Sequence, residues 1–285
     1  GVSGESVGIG VAFGLALVTD DVLALLADGV SVTGARDATL DASARTVASV
    51  EARMGAVATG SSGGGGGGGV AVTPAIALII SNITTSARIG TAALDDEGDP
   101  LPLELSGSLA LRATQDASAA ATASASAAAA GSAAVGVGLA LAIANHGALA
   151  ELARDVVAGA DIALQASSRS VAAASASASA GGAPEESVED TTPDAEGRTG
   201  VDKQLGAQRS YADQVSTRHG AAGSGDASSP DAATSDGRVS VAAAIGLAIS
   251  TVLAEARLTS EVASLVAGGT VTLAASANSD AAAKA

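Results

Sequence analysis

Four stretches of the chain share one pattern, and that pattern restricts what the chain can become. Residues 7–17 read VGIGVAFGLAL, residues 70–80 VAVTPAIALII, residues 135–143 VGVGLALAI and residues 239–249 VSVAAAIGLAI. In the first stretch every odd position is large and apolar (Val7, Ile9, Val11, Phe13, Leu15, Leu17) and every even one is Gly or Ala. A period of two sends alternate side chains to opposite faces, which makes each stretch a β-strand. One face presents bulk, and the other lets a neighbouring sheet come unusually close. The expected arrangement puts the large faces in a continuous core, with Gly/Ala/Ser faces packed sheet to sheet.

The stretches start at Val7, Val70, Val135 and Val239, so the first two intervals are nearly equal and the third is longer. Self-similarity at a fixed period marks a repeat architecture. Other landmarks recur in step. Ala87-Arg88, Ala153-Arg154 and Ala256-Arg257 follow three of the starts, although the first copy has Leu25 there. A glycine turn comes next, at Asp28-Gly29, Gly159 or Gly268-Gly269. A short strand then ends at Ser43, Thr114, Ser167 or Ser276, and beyond it alanine alternates with serine or threonine, as in ATASASA (121–127) and ASASASA (174–180). Alanine favours helix, but strict Ser/Ala alternation has no helical rationale, so this segment reads as a further strand.

The units are expected at 1–69, with a glycine-rich loop at its end, at 70–134, at 135–238 and at 239–285, the last incomplete in a continuing array. The fold class is all-β, an elongated β-solenoid of four units of about 64 residues. The third unit carries a long acidic insert, 181–238, with three of the six prolines, eleven Asp or Glu against five Lys or Arg, and only four large aliphatics. Such a composition buries little and does not order itself. The seven glycines of 63–69 read as a flexible loop.

Composition narrows function. Hydrophobic residues make up 47% of the 285, yet aromatics are about 1%, Phe13 and Tyr211 alone, and Met54 is the only methionine. Thin stacked layers suit this better than a deep globular core. The net charge of −16 opposes binding to nucleic acid, which needs Lys and Arg against phosphates. The longest apolar runs are too short for a membrane helix, and the aromatic girdles of a membrane barrel are absent. There is no cysteine, hence neither a disulfide nor a thiolate metal site. Residues 1–17 have no basic region of the kind that opens a signal peptide.

No constellation points to a reaction. Ser6 and Ser62 sit in G-x-S-x-G matches, but neither lies where a strand turns into a helix, and chance is the preferred reading. His146 reads as an exposed residue of an Asn145-His146-Gly147 turn, and His219 as a loop residue of the insert. Asp95, Asp96, Glu97 and Asp99 could offer oxygens to Ca²⁺, without the spacing of a known calcium loop; a solvated turn is preferred, and no other cofactor is expected. Arg88, Arg154 and Arg257 are expected to form a ladder whose stems cover apolar surface and whose heads pair with acids; a ligand-binding stripe is the alternative. Asn82-Ile83-Thr84 is an isolated glycosylation sequon.

The units VGIGVAFGLALVTDDVLALLADGVSVTGARDATLDAS and VGVGLALAIANHGALAELARDVVAGADIALQAS resemble those of large repetitive bacterial exoproteins, the leukotoxin-like and filamentous-haemagglutinin-like adhesins. The resemblance covers nearly all the chain outside 181–238 and rests on the style of repeat. It implies a secreted or surface-tethered protein, extracellular, with no catalytic residues. The expected function is a stalk or filament segment of a giant surface protein, self-assembling end to end, whose partners are neighbouring repeats or other copies of itself. The alternatives are an adhesive module that contacts a host or cell-surface component through 181–238, and a β-helical polysaccharide-processing enzyme. The last would need a groove of acids and aromatics on strands, whereas the acids here lie in turns and inserts.

Overall fold

A computed structural model describes residues 1–4, 7–59, 69–129, 131–181, 232–235 and 239–285. In chain order the strands are β1 (Val2–Gly4), β2 (Val7–Ile9), β3 (Ala12–Leu26), β4 (Ala38–Ala58), β5 (Gly69–Ile89), β6 (Leu103–Leu105) and β7 (Leu109–Ala129). There follow β8 (Gly131–Leu152), β9 (Val156–Ala158), β10 (Ile162–Gly181), β11 (Ala232–Ser235), β12 (Val239–Leu258), β13 (Leu265–Ala267) and β14 (Val271–Lys284). The described residues hold no helix. The serine/alanine segments are strand, as their alternation predicts, and alanine's helix propensity is overridden by neighbours that supply backbone partners on both sides.

Three sheets form, and every strand pairing within them is parallel. A serine sheet runs β1-β4-β7-β10-β11, with β14 also on β10; an aliphatic sheet runs β12-β8-β5, with β2 and β3 on β5; a short sheet runs β13-β9-β6. The chain passes from the aliphatic sheet through the short sheet to the serine sheet and back, an arrangement compatible with a β-helix. Neighbours hold register over long spans: β4 against β7 from Ala38↔Leu109 to Ala58↔Ala129, and β5 against β8 from Val70↔Ala133 to Ile89↔Leu152.

Three sequence expectations change here. The strands are long, because the pieces read as separate strands on either side of Ser43, Thr114 and Ser167 run on without a break. The third stretch is slipped by one full alternation: Val135 pairs Val72 and Val241, not Val70 and Val239. With Val7 on Val70, the step from the first circuit to the second then equals the step from the second to the third. A slip of this size preserves the inward/outward alternation, which is why the pattern alone did not expose it. And Asn145-His146-Gly147 is no turn but the middle of β8, paired on both sides, with Asn82-Ile83-Thr84 and Thr251-Val252-Leu253.

The large correction concerns which face is inside. In the aliphatic sheet the small residues point inward: Ala71, Ala75, Ala77, Ala134, Ala140, Ala142 and Ala144 are buried. The large ones point out, with Phe13 63%, Leu17 68% and Ile245 58% exposed. The physical reason lies across the interior. The serine sheet turns Ala117, Ala119, Ala121, Ala123 and Ala125 of β7, and Ala172, Ala174 and Ala176 of β10, inward. Small faces on both sides let the sheets close on each other. A Cβ added at Gly138 would lie 2.5 Å from the Ser177 carbonyl oxygen, and one at Gly8 2.7 Å from that of Val57.

Large side chains do make a core, at the other end of the strands. Ile89, Leu103, Leu109, Leu111, Leu152, Val156, Ile162 and Leu164 are buried together where the short sheet closes the interior. The cross-section is thus a wedge, thin and alanine-lined at one corner and filled with Leu and Ile at the wide end.

Candidate functional site

The arginines of the expected ladder divide into two arrangements. In the observed register Arg88 pairs Glu151, and Glu151 pairs Arg257. The Glu151 carboxylate is clasped from both sides. Arg88 Nε donates to Oε1 at 2.7 Å and Arg257 Nε to Oε2 at 2.7 Å, while their Nη2 atoms stand 2.5 Å from the same oxygens. Each arginine directs two nitrogens at a single oxygen, so the two guanidiniums divide the carboxylate between them, one oxygen each. The Glu151 side chain is 4% exposed, although it lies on the outward row. Burial pushes its pKa up, but the hydrogen bonds from Arg257 and Arg88 and their charges outweigh that and hold it below the usual glutamate value.

Arg154 stands apart from this row and is buried. Its guanidinium donates to the carbonyls of Gly90 (2.7 Å), Val30 (2.5 Å), Ala27 (3.1 Å) and Thr91 (2.6 Å). It ties the bend after β8 to two earlier bends, so its partners are backbone carbonyls and not acids. The bends carry a second device. Asp28 Oδ1 accepts from Thr91 N and Oγ1, and Asp161 Oδ1 accepts from Thr270 N and Oγ1. Those bonds hold both carboxyls below the usual aspartate value.

His146 is buried on the inner face of β8, not exposed. Its Nε2 lies 3.0 Å from Ser81 Oγ, and burial lowers its pKa. A serine beside a histidine suggests nucleophile and base, but the pair is sealed in the interior, and no carboxylate orients the ring because Nδ1 has no partner. It belongs to a polar seam between the sheets, in which Ser168 Oγ donates to Gln115 Oε1, Ser170 Oγ meets Ser250 Oγ at 2.8 Å, and Ser279 Oγ donates to Ser250 Oγ at 2.8 Å.

The acids at 95–99 make a self-contained turn. Asp95 Oδ1 accepts from Glu97 N at 3.0 Å and Asp99 N at 2.8 Å, and Gly98 takes the positive φ of +87° that such a turn requires. Among the described residues no three His, Cys, Asp or Glu side chains gather to hold a metal ion. Asn82 sits in an outward ladder, its Oδ1 accepting from Asn145 Nδ2 at 2.9 Å. Ser6, Ser62, His219, the glycine run apart from Gly69, and most of the insert lie outside the described residues.

Two outer surfaces remain, and they differ in kind. The serine sheet presents Ser, Thr, Arg and Asp, with Ser177 Oγ donating to Ser124 Oγ and Ser179 Oγ to Ser126 Oγ, each at 3.1 Å. The aliphatic sheet presents no hydrogen-bonding side chain at the outward positions of 7–17, 70–80, 133–143 and 239–249. One apolar cavity of about 260 Å³, lined by Leu25, Leu26, Val32, Leu40, Ile89 and Leu103, opens beside the first bend of the wide core. Sequence reasoning missed both apolar features because it assigned the bulk to the interior. Comparison with known families, with curated proteins and with solved structures finds no match for the chain.

Proposed function

We propose that the chain is a structural segment, a β-solenoid of four repeat units that serves as a stalk or filament piece of a giant extracellular bacterial surface protein and associates end to end. The observation that carries this reading is the apolar cavity at the wide core. Leu26, Val32 and Leu40 are only partly buried there, in the place where the interior side chains of a further circuit would stand. β3 and β4 border the same end, with β1 covering only Ala56 to Ala58 of β4, and a parallel strand edge accepts another strand of equal register. At the other end β12, β13 and β14 each pair one described neighbour only.

Ser81 and His146 are buried against each other and Glu151 is held by two arginines, which favours a structural role over polysaccharide processing. Electron microscopy of the purified protein with circular dichroism on the same sample tests the reading. Rods that lengthen with concentration and give a β spectrum are expected; particles of fixed length at all concentrations overturn end-to-end assembly. The adhesive reading has one observation in its favour. Gly181 pairs Ser235, so the chain leaves the stacked strands and re-enters them at one corner, with 182–231 between. Deleting 182–231 leaves a stalk intact and abolishes contact with a partner if that segment makes it.

A further inference from the structure

We infer that the outer face of the aliphatic sheet is an interface at which two copies of this chain pack face to face. Its four rows, formed by β2 with β3, by β5, by β8 and by β12, carry six outward positions each within 7–17, 70–80, 133–143 and 239–249, and all are Val, Ile, Leu, Phe, Ala or Pro. The edge strands show how far water reaches them: Leu15 is 57% and Leu247 48% exposed. At about 3.3 Å per residue and about 4.8 Å per strand the face measures roughly 36 by 19 Å, or about 700 Å². Contiguous apolar patches of that size are rare on surfaces that stay in water. Two such faces together bury about 1,400 Å², within the range of specific protein–protein interfaces.

The chemistry selects the occupant. The patch has no charge, no hydrogen-bonding side chain and one aromatic ring, so it offers nothing to a polar ligand. Its rows repeat at the strand spacing, and the surface of matching spacing and flatness is the same face of a second copy, related by a two-fold axis. Residues 182–231 hold only Val188, Val201, Leu205 and Val215 as large aliphatics, few beside the apolar rows of this face. A bilayer is disfavoured by the net charge of −16 and by the lack of a Trp, Tyr or Lys rim. The serine sheet supplies the internal contrast, since its outer face carries Ser, Thr, Arg and Asp. A polar border follows the apolar rows, with Thr19, Asn82, Asn145 and Thr251 aligned across the sheet.

This pairing is lateral and stops at two, whereas end-to-end association grows in length, so either can fail without the other. The test is sedimentation equilibrium of the full chain and of a variant with Leu78→Glu and Leu141→Glu on the two central strands. The wild type is expected to contain the paired species at micromolar concentration, and the variant to lose it at least 100-fold in affinity while keeping its β spectrum. A paired species that persists in the folded variant, or a wild type that stays single at 100 µM, overturns the inference. If the variant does not fold, spin labels replace it, because the chain has no cysteine and a single introduced one is unique. A label at Leu141→Cys is expected to couple strongly between copies, and one at Ser118→Cys on the opposite sheet to couple weakly; the reverse order overturns the inference. Sedimentation of unpaired wild type with phosphatidylcholine vesicles would likewise overturn it in favour of a lipid surface.

Discussion

Gly138→Ala tests the close approach of the two sheets. Glycine inside a strand costs about 0.5–1 kcal/mol relative to alanine through the freedom of the unfolded chain, so propensity alone predicts a gain. The structure predicts a loss. The new methyl carbon would stand 2.5 Å from the Ser177 carbonyl oxygen and 3.2 Å from its carbon, where real Cβ atoms essentially never come within 3.0 Å. The obstacle is backbone within a paired strand, so relief requires the sheets to part by about 0.5–1 Å, and overpacking of this kind costs about 1–3 kcal/mol. Gly147→Ala is the control, since nothing lies within 4 Å of its added Cβ and the propensity gain stands alone. Urea unfolding followed by circular dichroism should lower the midpoint for Gly138→Ala and leave it equal or higher for Gly147→Ala. Less the propensity gain, the net loss is about 0–2.5 kcal/mol, and at about 2–4 °C per kcal/mol it amounts to a fall of up to roughly 10 °C in Tm. A Gly138→Ala protein as stable as the Gly147→Ala control would refute close packing through the alanine faces.

Glu151→Gln leaves Arg88 and Arg257 facing each other without the charge between them, and the loss should be about 1.5–3 kcal/mol, toward the lower end because both guanidiniums are half in water; thermal unfolding at low and high salt checks it. Arg154→Met strips four carbonyls of their donor and should cost about 3 kcal/mol, with faster amide exchange around residues 27–30; Arg154→Lys, a single compact ammonium, should recover only part. His146 is held neutral by burial, so as pH falls below about 6.5 the unfolded chain takes up a proton that the folded one refuses, and stability drops by up to about 1.4 kcal/mol per pH unit until the folded pKa is reached. His146→Leu should flatten that slope in unfolding measured from pH 7 to 5. Glu151, Asp28 and Asp161 have depressed pKa values, so their contribution is present above about pH 4.5 and is lost only as the pH falls below that.

Strand type was legible because a period of two admits one reading, even in alanine-rich segments where propensity points elsewhere. Which face is buried was not legible from either strand alone. Phe13, Leu15 and Leu17 beside Gly14 and Ala16 look like a core row by hydrophobicity, and only the partner sheet, whose inner row is Ala117 to Ala125, decides that small meets small. The clasp around Glu151 escaped for a simpler reason. Aligning Val70 with Val135 misplaces the register by one alternation and sets Arg154 nearest Arg88, where Glu151 belongs. His146 was read from its neighbours Asn145 and Gly147, which favour turns, whereas strands paired on both sides carry the backbone straight through. The short sheet of β6, β9 and β13 left no trace, since its strands are too brief for a period to show.

The corner between β10 and β12 sets how the chain tolerates added sequence. Between β7 and β8, Ala130 alone links the serine sheet to the aliphatic one, while here the whole of 182–231 separates Gly181 from Ala232. Yet β12 still holds β8 in unbroken register from Val239 to Leu258. Because Gly181 and Ser235 are paired, any segment mounted there has its ends already together. The entropy of closing such a segment grows only logarithmically, by about 0.6 kcal/mol for each doubling of length. Evolution or an engineer could therefore exchange the intervening segment for another of very different size while the wall behind it stays the same, and the corner acts as a socket whose cargo is thermodynamically almost invisible to the stack.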